Sequence, residues 1–225
     1  MLCISTLAHT GIKVIAAKGN VYVRHNVEEQ WVPVSVGDVL KPEDSMRLDQ
    51  KSTATIVIDG NKKLTLPELV IVDLSDLRML TQEDLLLKLA MEHIRSIPID
   101  KRDNEFKITR TTSVHSPSKE NKPVRITVKR ELGELQLNGT KVLYDNGFYA
   151  TCVLRAKEVF RLFPDLSKRF DGRLLIGTAL EMLKLNGEAF GEYTSLLEEQ
   201  LSTEQRAIVK KKLAQLRKER RENSD

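Results

Sequence analysis

Between Gly19 and Asp76 the chain meets a turn signal every few residues, and apolar residues alternate with polar ones between the breaks. Few folds accept that rhythm. Val21-Tyr22-Val23 opens one strand and Trp31-Val32-Pro33-Val34 another, Gly37-Asp38 punctuates before Val39-Leu40, and Pro42-Glu43-Asp44 breaks the chain again. Met46-Arg47-Leu48 and Ser52 to Ile58 follow, then Asp59-Gly60, a hairpin signal because a type I′ turn needs positive φ at both central positions. The return strand places Leu64 and Leu66 on one face and Lys63 and Thr65 on the other. Leu69 to Leu74 is almost continuously apolar, which predicts a strand buried on both sides. Short strands at this spacing predict a small antiparallel β-sandwich or barrel-like sheet.

From Leu137 onward the period becomes helical, with breaks at Asn146-Gly147, Phe163-Pro164-Asp165 and Asn186-Gly187. The expected class is therefore α+β, with a β-domain over residues 12–77 and α-helical hairpins over 132–225. Between them, Thr81-Gln82-Glu83-Asp84 is a helix start, with Thr81 as N-cap and acids in the first turn. Leu85, Leu86 and Leu89 give this helix of residues 78–99 an apolar side, and Pro98 ends it. The simplest expectation is that it packs on the sheet it follows. Residues 100–131 lose periodicity and read as a basic linker, with short strands possible at Phe106–Ile108 and Val124–Val128. Near the end, Ser202 and Gln205 form a capping box that opens a last helix. Val209, Leu213 and Leu216 make its apolar stripe, and Lys210, Lys211, Arg217 and Lys218 lie among its basic residues.

The succession Gly19-x-Val21-x-Val23, Trp31-x-Pro33-Val34, Gly37-Asp38-x-Leu40, Arg47, Ser52-x-Ala54-x-Ile56, Asp59-Gly60 and Leu64-x-Leu66 resembles a FecR-like domain, the periplasmic β-domain of iron-dicitrate sensor proteins. The resemblance covers residues 12–77 and implies a fold more than an activity. Leu137 to Pro164 in turn resembles a tetratricopeptide repeat, with Gly147 and Tyr149 at the inter-helix turn and Cys152 at the tight helix crossing. A second, divergent copy runs from Leu174 to Leu197 without the closing proline. Two such repeats are fewer than the three that usually stand alone, so the last helix is expected to act as a cap.

Charge narrows the partners. Residues 1–100 carry 11 basic against 14 acidic groups, and residues 131–200 carry 8 against 11. The excess of positive charge falls in residues 101–130 (9 against 3) and 201–225 (8 against 4). Both folded parts are mildly acidic and aromatics make up only 5% of residues, which excludes a nucleic-acid binder built on stacking platforms. Residues 1–11 have two readings: a remnant of a secretory signal, with a short apolar run and Thr6-x-Ala8 in small-residue positions, or an exposed N-terminus. The first points to an extracytoplasmic, periplasmic location; the second leaves a cytoplasmic one open. No stretch approaches the roughly 18–20 apolar residues of a membrane span.

No catalytic chemistry emerges. His9, His25, His93 and His115 are scattered without i, i+4 pairing, and neither GxxxxGK nor GxGxxG occurs. Asp38, Glu43, Asp44 and Asp49 cluster, but they lack the alternation and glycine of a calcium loop and read as turn acids capping backbone N–H groups. No enzyme, cofactor or metal is expected. Candidate interaction residues are Tyr22 and Trp31 on the sheet, Arg155 on the first helical hairpin, and Lys210, Lys211, Arg217 and Lys218 on the last helix. The leading expectation is an envelope scaffold or adaptor working by protein–protein contact, with peripheral contact to anionic membrane through the basic helix. Alternatives are a ligand- or glycan-binding module, favoured by an exposed aromatic on the sheet, and a FecR-like signalling regulator without its own membrane span.

Overall fold

The computed structural model describes residues 11–96 and 122–222, with side chains over 11–91 and 130–222. The first ten residues, the helix stop at Pro98 and the strand expected at Phe106–Ile108 lie outside the described residues. Eight strands follow one another: β1 (Ile12–Lys18), β2 (Val21–Arg24), β3 (Val32–Pro33), β4 (Val39–Leu40), β5 (Ser45–Leu48), β6 (Thr53–Ile58), β7 (Lys62–Leu66) and β8 (Val70–Asp73). They form two four-stranded sheets of order β4-β1-β6-β7 and β3-β2-β5-β8, in which every pairing is antiparallel. The alternation read from the sequence sets the faces. Val14, Ala54, Ile56, Leu64 and Leu66 of one sheet and Val21, Val23, Met46, Leu48, Val70 and Val72 of the other are buried in a common core, each large side chain contributing about 1.5–3 kcal/mol.

Two details depart from simple alternation. β1 precedes the first strand expected, because alternation holds only from Ile12 to Ile15 before a register shift between Val14 and Ala16 leaves Ala16 exposed as well and breaks the period-2 pattern. At the β6–β7 hairpin, Asp59 and Gly60 both have positive φ and Asn61 N–H donates to Ile58 O at 3.2 Å. Pairing restarts only at Lys62, so the loop has three residues rather than two. At the corner between the sheets Gly19 has φ +75°, and a Cβ there would meet Ser52 Oγ at 2.6 Å. Ser52 accepts a hydrogen bond from Asn20 N at 2.8 Å and thereby ties the corner together.

β8 is an edge strand whose Val70, Ile71 and Val72 are all buried. The inner face meets the sandwich core; the edge is covered by α2 (Lys122–Asp145), after α1 (Gln82–Ser96) has left the sheet. Asn138 donates its side-chain N–H to Leu69 O at 2.9 Å. A Cβ on Gly139 would be driven into the carbonyl oxygen of Ile71, so only glycine lets the helix lie this close. A helix laid along an edge strand removes a template for unwanted strand pairing.

Two expectations are corrected here. The helix that follows the sheet does not cover it. α1 packs instead on α3 (Tyr149–Leu162), burying Leu85, while Thr81 Oγ1 accepts from Asp84 N at 3.1 Å as its N-cap. Residues 122–131 are helical, and Val124–Val128 is no strand. Pro123 sits in the first turn of α2, where its missing N–H costs no helical hydrogen bond, so the helix runs on past the β-branched residues.

The remaining helices are α4 (Phe170–Met182), α5 (Asn186–Leu197) and α6 (Thr203–Glu222), and from α3 onward each packs on its predecessor. Gly147 turns the α2–α3 hairpin at φ +82°. Gly177 of α4 leaves room for the ring of fully buried Tyr193 on α5. The capping box of α6 forms, with Ser202 N–H donating to Gln205 Oε1 at 3.0 Å and Gln205 N–H to Ser202 Oγ at 3.2 Å. Its Val209, Leu213 and Leu216 are buried against the stack. A single buried cluster runs from the sandwich through α3 to α6, so the halves share one core.

Cys152 lies inside that core, and burial pushes its thiol up to about 12, with Asp145 adding to the effect. In a Cys3→Ser background, a thiol reagent at neutral pH should therefore modify Cys152 only after denaturant unfolds the chain. Rapid labelling of the native protein would show that α3 opens without global unfolding.

Candidate functional site

Strand parity assembles the site. Tyr22 and Arg24 alternate with buried Val21 and Val23 on β2, as Ser45 and Arg47 do with Met46 and Leu48 on β5. All four therefore stand on the outer face of the second sheet, together with Asp73 of β8. Trp31 enters from the residue before β3. The Arg47 guanidinium lies 4.8 Å from the Tyr22 ring centre and 5.3 Å from that of Trp31, and Arg24 lies 5.1 Å from Trp31. Each such contact contributes roughly 0.5–2 kcal/mol according to its exposure. Arg47 also pairs with Asp49 at 3.1 Å. All four side chains are half-buried, so neither aromatic is an open platform and neither is core.

A polar chain leads from this face to the helices. Arg24 donates to Ser45 Oγ at 3.3 Å, and Ser45 donates to Asp73 Oδ1 at 2.5 Å. Arg155 of α3 then pairs with Asp73 at 2.6 Å, Asp76 at 2.7 Å and Glu158 at 2.9 Å. Arg155 thus clamps α3 to the end of β8. Burial raises the Asp76 carboxyl above its ordinary 3.8, against the lowering pull of Arg155. The three carboxylates hold the Arg155 guanidinium in its charged form against the cost of desolvation.

Of the residues expected from sequence, the structure thus links Tyr22, Trp31 and Arg155 through partners not expected: Arg24, Arg47, Ser45 and Asp73. The signal for Arg24 was present, since it shares the parity of Tyr22, whereas only the β2–β5 register brings in Arg47. Asp73 and Ser45 lie 28 residues apart, and only strand pairing joins them. Lys210, Lys211, Arg217 and Lys218 stand elsewhere, exposed on α6 at the end of the helical stack. At 100° per residue they fall on one arc away from Val209, Leu213 and Leu216. Arg217 lies 5.6 Å from the Phe190 ring, and Lys218 pairs with Glu222 at 3.6 Å.

Of the four turn acids, Asp38 and Asp44 act as backbone caps, whereas Asp49 pairs with Arg47. Asp38 accepts from Ser35 N at 2.8 Å, and buried Asp44 accepts from Lys41 N at 2.9 Å while meeting His25 at 3.1 Å. Among the described residues no group of three or more His, Cys, Asp or Glu is placed to hold a metal ion, and no helix is long and apolar enough to cross a membrane. Comparison with known protein families, with characterised proteins and with solved structures finds no significant match.

Proposed function

We propose that this protein is a non-enzymatic adaptor of the cell envelope, acting outside the cytoplasm, whose FecR-like β-domain docks a protein partner through the Tyr22–Arg24–Trp31–Arg47 face. The observation carrying this reading is that half-buried cluster of two aromatics and two arginines. Trp, Tyr and Arg dominate binding hot spots because they combine large contact area with directional donors. Their mutual contacts already restrict the side chains, so less conformational freedom is lost on docking. Guanidinium groups lie over both rings, which weighs against a sugar-stacking platform. Through Ser45, Asp73 and Arg155 the face is wired to the tetratricopeptide-like helices, as an adaptor requires.

The test is affinity capture from membrane and soluble fractions of the source cells with tagged wild type, Trp31→Ala and Arg47→Ala. The expected result is a defined protein retained by wild type and reduced at least tenfold by either substitution, with each variant still unfolding cooperatively well above the capture temperature. Equal retention by all three would sink the reading. Retention of carbohydrate alone would replace it with the glycan-binding one.

A further inference from the structure

Beside the Arg155 clamp, where α1 and α3 meet the chain leaving β8, lies a pocket of about 370 Å³. That is at the lower end of the roughly 300–1,000 Å³ typical of ligand pockets, with room for the end of a chain rather than a folded surface. Its apolar lining comes from Leu80, Met91 and Leu154. Arg78 and Lys88 contribute positive charge, and among the described residues neither forms a hydrogen bond or ion pair. The pocket's two carboxylates, Asp76 and Glu158, are both engaged by Arg155. Asp84 feels Arg78 and Lys88 through space, but its carboxylate is hydrogen-bonded to Thr81 at 2.8 Å. Two cations with no hydrogen-bond or ion-pair partner among the described residues, in a pocket that is also lined by apolar side chains, leave a demand for an anion carried on an apolar group.

We infer that this pocket binds the C-terminal carboxylate of a partner polypeptide that ends in an aliphatic residue. Arg78 and Lys88 take the carboxylate, and Leu80, Met91 and Leu154 cover the side chain. A bare phosphate would satisfy the cations and leave the apolar lining wet. The inference shares with the adaptor reading only the premise of a protein ligand, and it uses none of the residues of the Trp31 face.

The probe is a fluorescein-labelled Gly/Ser hexapeptide ending in two leucines and a free carboxylate, titrated by anisotropy against the full chain. Its C-terminal amide and sodium octanoate serve as comparisons. The expected result is saturable binding of the free acid, with the amide at least tenfold weaker. Arg78→Gln and Lys88→Gln should each weaken the free acid at least tenfold, while Trp31→Ala leaves it unchanged. Among the described residues neither cation has a hydrogen-bond or ion-pair partner, so these variants should fold as wild type does. Equal binding of acid and amide, no binding of either, or indifference to both substitutions overturns the inference. Binding of octanoate without the peptide also overturns it, because the carboxylate would then come from a lipid. Loss in Trp31→Ala with retention in Arg78→Gln would assign the peptide to the other face, refuting the pocket while leaving the adaptor reading intact.

Discussion

Replacing Gly139 by alanine should destabilise the protein by about 2 kcal/mol, although the same change in an open helix stabilises. Alanine gains up to roughly 1 kcal/mol of helix propensity over glycine. Here that gain is outweighed, because the new methyl group would occupy the space of the Ile71 carbonyl oxygen. That oxygen belongs to the strand backbone and cannot rotate away, so α2 must lift off β8; overpacking of this kind costs about 1–3 kcal/mol or more. Gly191 of α5 is the internal control, since it is exposed and a Cβ there meets nothing within 4 Å. Gly191→Ala should raise the thermal midpoint and Gly139→Ala should lower it, by roughly 2–4 °C per kcal/mol for a chain of this size. Shifts of the same sign would mean that α2 does not rest on the edge of β8.

Arg155→Ala should cost about 2–3 kcal/mol near neutral pH, and the loss should depend on pH. Removing the guanidinium leaves Asp73 and Asp76, with side chains only 24% and 17% exposed, close together and uncompensated. Breaking a fully buried pair costs about 3–5 kcal/mol, and partial exposure here reduces it. The sign follows from Asp76, whose folded carboxyl is already raised above 3.8 by burial. Such a group supports the fold while protonated, and that support is lost as pH rises through the folded value. Without Arg155 the carboxyl should rise further, so stability should fall more steeply between about pH 4 and about pH 7 than in wild type. Urea unfolding at both ends of that range measures the difference. Asp76→Asn in the Arg155→Ala background should return part of the loss at the upper end only. A loss of equal size at both ends would show that the clamp acts through packing of the arginine stem rather than through charge.

Much of the candidate site was within reach of the sequence, and the rest was hidden for a definite reason. Tyr22 and Trp31 stand out as rare aromatics in a β-rich stretch, and Arg155 as a cation on the first hairpin. Period-2 parity puts Arg24 on the face of Tyr22, but only the β2–β5 register sets Arg47 beside Tyr22. The pocket at Arg78 and Lys88 was not legible, because its walls come from the end of the β-domain, α1 and α3. No periodicity reports which residues of separate elements face one gap.

Local physics determined what the sequence alone could determine. Alternation specified the strands, positive-φ glycines marked the turns, and Ser202 with Gln205 specified where α6 begins. These depend on the chemistry of residues a few positions apart, which the chain carries in its order. Only the tertiary structure decided that α2, not α1, covers β8, and that 122–131 is helix rather than linker or strand. Those outcomes rest on long-range terms: the missing Cβ of Gly139 against Ile71, the Asn138 bond to Leu69, and the Arg155 bridge to Asp73 and Asp76. A helix and a strand edge nearly seventy residues apart must find matching shapes and charges, and neither segment's own pattern encodes the match.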